Sequence, residues 1–281
     1  MEKADYLRNP GESMRIDSEK SARIIENYIA GEVAKSNKCG IVLGLSGGID
    51  SSVVAALGKN ALGKEKVHGI IMPSSSNTKS DYDDAVSLAK GLGISYEAVP
   101  IEDILESFKA TGLFEGKMAY ANIKPRIRMS LLYGYANSNN YLVAGTGNRS
   151  EIMIGYFTKF GDSGVDILPI GSLYKTQVFE LAESLGIPEQ IIKKKPSAGL
   201  WENQTDEAEL GITYRNLDLI LAGIELGLKD NEIHCATGVE NSAIEMVVKK
   251  IMHSAHKRIA PEAPKINSFD FYDLPPNQEA E

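Results

Sequence analysis

The stretch from Gly40 to Leu57 constrains the fold of this chain more than any other part. It reads GIVLGLSGGIDSSVVAAL, and Ile41–Leu45 is the short apolar run typical of a buried parallel strand. The chain then turns at Ser46–Gly48, and apolar residues recur at helical spacing from Ile49 onward. A strand that passes through a glycine turn into a helix leaves free backbone amides at the helix start, and these attract an anion such as phosphate.

The complete motif, Ser-Gly-Gly-x-Asp-Ser-Ser from residue 46 to residue 52, is more specific than its glycines alone. Glycine and serine after a strand also form plain strand-to-helix turns. The motif is not a Walker loop, because no Lys-Ser or Lys-Thr pair closes it. A near match at residues 58–64 is followed by Glu65, and no strand precedes it. The motif therefore indicates a phosphate loop of another class.

Composition and charge narrow the classes of protein that the chain can represent. A net charge of −8 over 281 residues argues against a broad nucleic-acid surface, and Lys193–Lys195 and Lys249–Lys250 are expected to be solvated. The two cysteines, Cys39 and Cys235, provide no disulfide framework. The charged N-terminus lacks an apolar signal core, and no uncharged stretch suits a membrane span. We therefore expect a cytoplasmic protein without a nucleic-acid or membrane partner.

Beyond the first strand, short apolar segments alternate with helical patterns. Further strands are expected at Val67–Met72, Ile94–Val99 and Tyr141–Ala144, with helices between and after them, one of them having Pro125 in its first turn. This alternation predicts an α/β fold with a doubly wound parallel sheet, helices on both faces and helical C-terminal additions. We expect one domain over residues 1–281, with a core of about residues 16–258 and an irregular tail at 261–281. Residues 195–208 have no period and are expected to form a mobile loop.

A second glycine motif follows the fourth expected strand. It reads Gly-Thr-Gly-Asn-Arg-Ser-Glu over residues 145–151, and because it also ends a strand it is expected to face the first loop. Its Glu151 would then join Asp50 as an oxygen ligand of Mg²⁺, an ion that bridges phosphates. Alternatively, Glu151 only favours the start of a helix electrostatically.

A third stretch, residues 155–170, reads GYFTKFGDSGVDILPI, with Lys175 shortly after. On its own it is more typical of a surface turn with scattered charges than of a site loop. The first motif, however, resembles the pyrophosphate loop of the N-type ATP pyrophosphatases. The later motifs, together with Asn122–Met129, Glu209–Tyr214 and His256–Arg258, resemble the NAD synthetases within that superfamily. The similarity runs in order over nearly the whole chain.

The resemblance implies an adenine nucleotide alpha hydrolase-like fold and an ammonia-dependent NAD⁺ synthetase activity. In that reaction ATP and Mg²⁺ activate deamido-NAD⁺ as an acyl-adenylate, with release of pyrophosphate. Free ammonia then displaces AMP to give NAD⁺, which is the last step of NAD biosynthesis. Such an enzyme needs no covalent nucleophile. The resemblance also implies a homodimer whose substrate site is shared between chains.

The same resemblance assigns roles to individual residues. For ATP they are Gly44, Leu45, Ser46, Gly47, Gly48, Ile49, Asp50, Ser51, Thr146, Lys175 and Ser197. For deamido-NAD⁺ they are Arg126, Lys159, Asp166, His256 and Lys257, and for Mg²⁺ they are Asp50 and Glu151. Two departures are visible: Ser197 replaces a common threonine, and residues 148–150, Asn-Arg-Ser, replace the His-Ala-Ala of common bacterial members.

Two other functions are compatible with the first loop alone. A tRNA-modifying ligase shares the first loop, but it would ordinarily need a basic surface or further cysteines. A nucleotide-binding protein without catalysis would not need both Mg²⁺ carboxylates, Asp50 and Glu151.

Overall fold

The computed structural model describes Leu7, residues 14–201, residues 204–261 and Pro264. Strands and helices alternate over the first half of this part of the chain. The strands are β1 (Gly40–Gly44), β2 (Val67–Ile71), β3 (Ser95–Ala98) and β4 (Tyr141–Val143). The helices are α1 (Ser18–Lys35), α2 (Ile49–Leu62), α3 (Lys79–Leu92), α4 (Glu102–Lys109), α5 (Lys117–Asn139), α6 (Arg149–Ile154), α7 (Lys175–Ser184), α8 (Glu189–Ile192), α9 (Asp206–Leu210), α10 (Tyr214–Glu225), α11 (Asp230–Thr237), α12 (Asn241–His253) and α13 (Ala255–Arg258).

The sheet is parallel throughout and has the strand order β3-β2-β1-β4. Leu43 of β1 lies beside Gly69 of β2, and Val42 of β1 lies beside Val143 of β4. All residues of β2 are buried, as expected for a strand that is covered on both faces. Because β1 and β4 are neighbours, the loops that follow them open at the same edge of the sheet. The predicted doubly wound parallel sheet is confirmed.

Helices cover both faces of the sheet. On one face, a buried cluster joins β1 to α1, α2 and α7 and includes Ile29, Leu43 and Leu57. On the other face, a second cluster joins β1 to α4 and α5 and includes Val42 and Leu105. Successive residues of β1 thus enter opposite cores, which fixes the register of the strand that leads into the glycine turn.

The C-terminal helices form an addition with a hydrophobic core of its own. Buried residues of α10, α11 and α12, among them Leu217, Ile233 and Ile244, pack together with Leu7. Helix α10 also packs against α6 and α7. The addition therefore joins the sheet beside the helix that follows β4. That residues 1–281 form one domain stays a prediction, and the expected tail lies almost wholly outside the described residues.

Two expectations about the helices need correction. Pro125 lies inside α5, which already begins at Lys117, rather than in the first turn. The helix continues through the proline because Ala121 and Ile127 are buried, and this packing outweighs one lost backbone hydrogen bond. The irregular stretch after residue 195 is shorter than expected, since α9 begins at Asp206. Among the described residues, no helix has both the length and the apolar character needed to cross a membrane.

Candidate active site

The loop between β1 and α2 is a tight turn held by its own serines. Ser51 Oγ accepts the Ser46 N–H at 3.3 Å and donates to the Gly48 carbonyl at 3.0 Å. Gly47 has a φ of 73°, and a Cβ atom there would lie 2.2 Å from the carbonyl oxygen of Asp81. Backbone conformation and space therefore both require glycine at position 47.

A buried lysine joins this loop to the loop after β4. Lys175, at the start of α7, is 1% exposed, and its Nζ lies 2.5 Å from Asp50 Oδ2 and 3.3 Å from Glu151 Oε1. The ring centroid of Tyr214 lies 5.2 Å from the same Nζ. The structure thus brings together three charged residues from three separate segments. The two loops face each other, as the sequence pattern predicts.

Burial and charge together set the protonation of this group. Burial opposes a charge on Lys175, but the carboxylates of Asp50 and Glu151 outweigh it and raise the pKa of the ammonium. Burial raises the pKa of Glu151 above its usual range, the Lys175 ammonium opposes this rise, and Asp50 adds to it. The ammonium is therefore the cation that allows the two carboxylates to lie side by side.

Asn148 fixes both carboxylates. It is fully buried at the start of α6, where its Nδ2 donates to Asp50 Oδ1 at 3.0 Å and its Oδ1 accepts the Glu151 N–H at 3.0 Å. Its own N–H donates to Glu151 Oε2 at 3.4 Å, which completes a capping box. Glu151 thus starts the helix with one carboxylate oxygen and contacts Lys175 with the other. The departure from the family pattern at position 148 supplies a contact here.

A third carboxylate, that of the buried residue Asp218, helps to position Lys175 through its neighbours. Asp218 of α10 is 0% exposed and accepts the Ser150 hydroxyl at 2.5 Å and the Thr176 N–H at 2.9 Å. Ser150 Oγ in turn accepts the Lys175 N–H at 2.9 Å, so the network links the starts of α6 and α7. Burial raises the pKa of Asp218 to about 6. Sequence reasoning missed Asp218, because a single aspartate in an amphipathic helix is typical of a solvated face.

Asp50 and Glu151 fit a site for Mg²⁺. Their oxygen atoms already hold one cation between them, the Lys175 ammonium, and Mg²⁺ prefers hard oxygen ligands. In the described part of the chain, no group of three or more His, Cys, Asp or Glu side chains is arranged to hold a metal ion. An ion at this pair would therefore complete its shell with water and phosphate oxygens, as is usual for Mg²⁺.

Most of the residues assigned to deamido-NAD⁺ are linked by contacts. Lys159 Nζ donates to the His256 carbonyl at 2.5 Å, and Arg126 Nη2 donates to the Lys159 carbonyl at 3.2 Å. Lys257 Nζ donates to two backbone carbonyls of residues 155–157, both at 2.8 Å. We call Arg126, Lys159, His256 and Lys257 the basic cluster.

Three assigned residues lie elsewhere. The Asp166 carboxylate accepts the Tyr133 hydroxyl at 2.9 Å and the Val143 N–H at 2.8 Å, which holds it at the end of β4. Thr146 is half-buried in the turn after the same strand. Ser197 is exposed between α8 and α9, and its Oγ accepts the Gly199 N–H at 3.1 Å. Their ligand roles stay predictions.

The irregular segment between α8 and α9 is anchored over the sheet edge. Ser76 Oγ donates to the Gly199 carbonyl at 2.8 Å, and Lys124 Nζ donates to the Leu200 carbonyl at 3.0 Å and to Ser76 Oγ at 2.8 Å. Lys124 is a buried residue of α5. No local sequence pattern predicts these contacts, because the partners of Lys124 lie 48 and 76 residues away in the chain.

Lys194 departs from its expected place on a solvated surface. Its Nζ donates to the Gly47 carbonyl at 3.2 Å and to Asp81 Oδ1 at 3.1 Å, and it also contacts the Asp84 carboxylate. The lysines on either side of it are exposed. The chain that leaves α8 passes close to the phosphate loop, so the middle lysine points inward and finds acceptors there.

The parallel sheet and the facing loops after β1 and β4 define an α/β protein of the adenine nucleotide alpha hydrolase-like class. Two solved structures are similar to it. An NMN synthetase from Francisella tularensis superposes with a TM-score of 0.80 and 36% identity, covering 89% of this chain and 99% of that one. An NH3-dependent NAD synthetase from Campylobacter jejuni superposes with a TM-score of 0.77 and 35% identity, covering 89% and 100%.

Sequence relatives give the family. A family model described as NAD synthase matches residues 21–261. A curated NH(3)-dependent NAD(+) synthetase from Archaeoglobus fulgidus is 49% identical over 249 residues, which cover 88% of this chain and 97% of that protein. The chain therefore belongs to the NAD synthase family, and the resemblance inferred from its motifs is confirmed.

Proposed function

We propose that the chain is an ammonia-dependent NAD⁺ synthetase, which amidates the nicotinate carboxylate of deamido-NAD⁺ with ATP as the co-substrate. The observation that carries the proposal is the contact of Lys175 with Asp50 and Glu151, at the carboxyl ends of two neighbouring strands. Doubly wound sheets bind their ligands at such a place. Family membership and the name of the Archaeoglobus relative support the same reaction.

In the proposed reaction, a nicotinate carboxylate oxygen attacks the α-phosphorus of ATP, and the bond to pyrophosphate breaks. Ammonia then attacks the acyl carbon, and AMP leaves with the carboxylate oxygen. Both steps move negative charge onto phosphate groups, so the protein contributes mainly position and compensating charge. The backbone amides at the start of α2 and the Lys175 ammonium are the groups that would stabilise the departing pyrophosphate.

Asp50 and Glu151 would hold Mg²⁺ for this reaction. When bound, the ion neutralises phosphate charge and orients the leaving pyrophosphate. Asn148 donates to one of these carboxylates and accepts from the backbone of the other, so their positions are set before a ligand arrives. Asp218 sets the position of Lys175 in the same way, through Ser150.

The basic cluster is proposed to hold deamido-NAD⁺, whose pyrophosphate is an anion. Three large apolar residues next to this cluster in the sequence are exposed: Phe160 at 57%, Met252 at 68% and Ile259 at 52%. Burial of these residues against another chain would be favourable. We therefore propose that this surface faces a second copy of the chain.

The direct test is a reconstituted reaction. Purified protein with ATP, Mg²⁺, ammonium and deamido-NAD⁺ should give NAD⁺ and AMP in equal amounts, measured by liquid chromatography and mass spectrometry. Glutamine in place of ammonium should give almost no NAD⁺. ADP as the nucleotide product, or no amide at all, would contradict the proposal.

A parallel reaction should offer nicotinic acid mononucleotide, the carboxylate counterpart of NMN, as the acceptor. This comparison tests which acceptor the enzyme uses, because the similar Francisella structure is named an NMN synthetase. We expect a higher kcat/KM with deamido-NAD⁺. A higher kcat/KM with nicotinic acid mononucleotide would keep the proposed amidation but make that mononucleotide, and not deamido-NAD⁺, the substrate.

A further inference from the structure

The ammonium of Lys194 is fully used by protein acceptors. It contacts the Gly47 carbonyl at 3.2 Å, Asp81 Oδ1 at 3.1 Å and the carboxylate of Asp84. An ammonium group has three N–H donors, and these acceptors account for all of them. Lys194 therefore has no donor left for a phosphate group, and any effect that it has on ligand binding must pass through the loop.

The orientation of the Gly47 carbonyl decides what the loop offers to an anion. In a planar trans peptide, the carbonyl of residue 47 and the N–H of residue 48 point in opposite directions. Because the Gly47 carbonyl is turned toward Lys194, the Gly48 N–H points to the other side, where Ser46 Oγ accepts it at 3.2 Å. If this peptide rotated, a carbonyl oxygen would face the phosphate and repel it.

The acceptors that hold Lys194 are themselves fixed. Asp81 Oδ2 accepts the Thr78 N–H at 2.9 Å, as part of the capping box that begins α3. Asp84 Oδ1 accepts Gln190 Nε2 at 3.4 Å, which ties the same helix to α8. Only 25% of the Lys194 side chain is exposed. This side chain thus adds a charged link between the phosphate loop and α3.

We propose that Lys194 is a positioning residue for the phosphate loop. It holds the Gly47 carbonyl away from the anion, so that this carbonyl oxygen does not repel the phosphates of ATP or the departing pyrophosphate. The inference rests on the proposed nucleotide site, and it gives Lys194 no contact with the ligand. A lysine on a solvated face would have no such effect.

The test compares Lys194→Met with Lys193→Met. Lys193 is a matched control, because its side chain is 73% exposed and pairs with Glu189 on the surface. Calorimetric titration with inorganic pyrophosphate in the presence of Mg²⁺ measures the affinity of the site without turnover.

Lys194→Met should weaken pyrophosphate binding about tenfold, because the variant loses the charge-assisted hydrogen bond that holds the Gly47 carbonyl. The KM for ATP should rise by a similar factor while the KM for ammonium stays unchanged, and Lys193→Met should match the wild type.

Lys194→Arg keeps both charge and donors and should recover most of the binding. Unchanged pyrophosphate affinity in Lys194→Met would overturn the inference. So would a parallel rise of every KM together with a lower melting temperature, since that result indicates a general structural role. If Lys194→Met does not fold, Asp84→Asn takes its place, because it keeps the lysine and loosens its anchor.

If Asp84→Asn binds pyrophosphate as tightly as the wild type, the inference is overturned.

Titration of the wild-type protein separates this inference from the proposed reaction. A wild-type protein that binds pyrophosphate and makes no amide would contradict the proposed function, while the Lys194 variants would still decide the role of the lysine. A wild-type protein that makes NAD⁺ and AMP but does not bind pyrophosphate would overturn this inference alone.

Discussion

At the scale of single residues, the candidate site depends on charges that compensate each other. Asp50 and Glu151 would repel each other without a cation, and Lys175 supplies one from a buried position. The proposed roles are separable, since the carboxylates would hold Mg²⁺ and the ammonium would hold phosphate. Substitution of a carboxylate should therefore mainly affect turnover, and substitution of Lys175 should also affect stability.

Replacing either carboxylate with its amide should separate catalysis from folding. Asp50→Asn and Glu151→Gln keep the shape of the side chain, and in each variant Lys175 keeps one charged partner. Turnover should fall at least about 100-fold, while the melting temperature changes little. The measurements are a Mg²⁺ titration of the rate and a thermal melt. Near-normal rates in both variants across the titration would show that these carboxylates hold no catalytic metal.

Removing the ammonium should instead affect stability. Lys175→Met leaves two enclosed carboxylates without a cation, so the free energy of unfolding in metal-free buffer should fall by about 3 kcal/mol. Mg²⁺ should then raise the melting temperature of the variant more than that of the wild type, because in the wild type the ion competes with the ammonium. Lys193→Met is the surface control. Equal Mg²⁺ shifts in Lys175→Met and the wild type would contradict a shared cation site.

These contacts differ in how far the sequence predicts them. Asp50 and Glu151 each follow a strand, and parallel topology brings such positions to one edge, so their proximity is predictable. Lys194 offers no comparable signal, because its acceptors on Gly47 and Asp81 lie 147 and 113 residues away. Its contacts depend on the path of the chain after α8, which no local pattern encodes.

At the scale of elements, local pattern suffices where neighbouring residues decide the conformation. The apolar run of β1, the glycine turn and the start of α2 all lie where the sequence predicts them. Helix α5 is different, because proline favours a first turn at Pro125 whereas burial of Ala121 and Ile127 extends the helix back to Lys117. A local preference thus yields to packing that the sequence alone does not reveal.

The central strand β2 carries a buried histidine with a predictable pH dependence. His68 is 5% exposed, stacks on Tyr135 with ring centroids 4.1 Å apart, and shares a hydrogen bond with Ser95 Oγ at 2.9 Å. Burial lowers the pKa of His68, although Glu97 opposes this effect. The folded protein therefore keeps the ring neutral while the unfolded chain takes up a proton. The resulting stability is complete above about pH 6.5 and is lost as the pH falls below it.

Urea unfolding between about pH 7.5 and about pH 5.5 tests this assignment. Below about pH 6.5, His68 should lower the free energy of unfolding of the wild type by up to about 1.4 kcal/mol per pH unit. His68→Phe keeps a stacked ring that cannot titrate. The free energy of unfolding of this variant should therefore depend on pH without the contribution of His68. Equal slopes in the two proteins would mean that His68 titrates normally in the folded state.

At the scale of the whole molecule, the proposed substrate spans two parts of the fold. The basic cluster lies on α5, α13 and the segment after α6, whereas the carboxylates lie at the sheet edge. We propose a two-fold dimer in which the basic cluster of one chain faces Asp50, Glu151 and Asp166 of the other. The exposed apolar residues near the cluster in the sequence are those that we propose such an interface buries.

Subunit mixing distinguishes a shared site from one within a single chain. Asp50→Ala and Arg126→Ala should each be inactive alone. After the two are unfolded and refolded together, half of the dimers should be mixed, and each mixed dimer has one intact and one doubly damaged site. Activity should return to about a quarter of the wild-type value. Mixed dimers that are verified by mass and remain inactive would place each site within one chain.

The central claim is that the nicotinate carboxylate attacks the α-phosphorus of ATP at this site. Deamido-NAD⁺ labelled with ¹⁸O in that carboxylate tests it most directly, because the oxygen that bonds to phosphorus leaves with AMP. Mass spectrometry of the products from ATP, Mg²⁺ and ammonium should find one labelled oxygen in the phosphate of each AMP. AMP without the label, or the label in orthophosphate accompanied by ADP, would contradict the account.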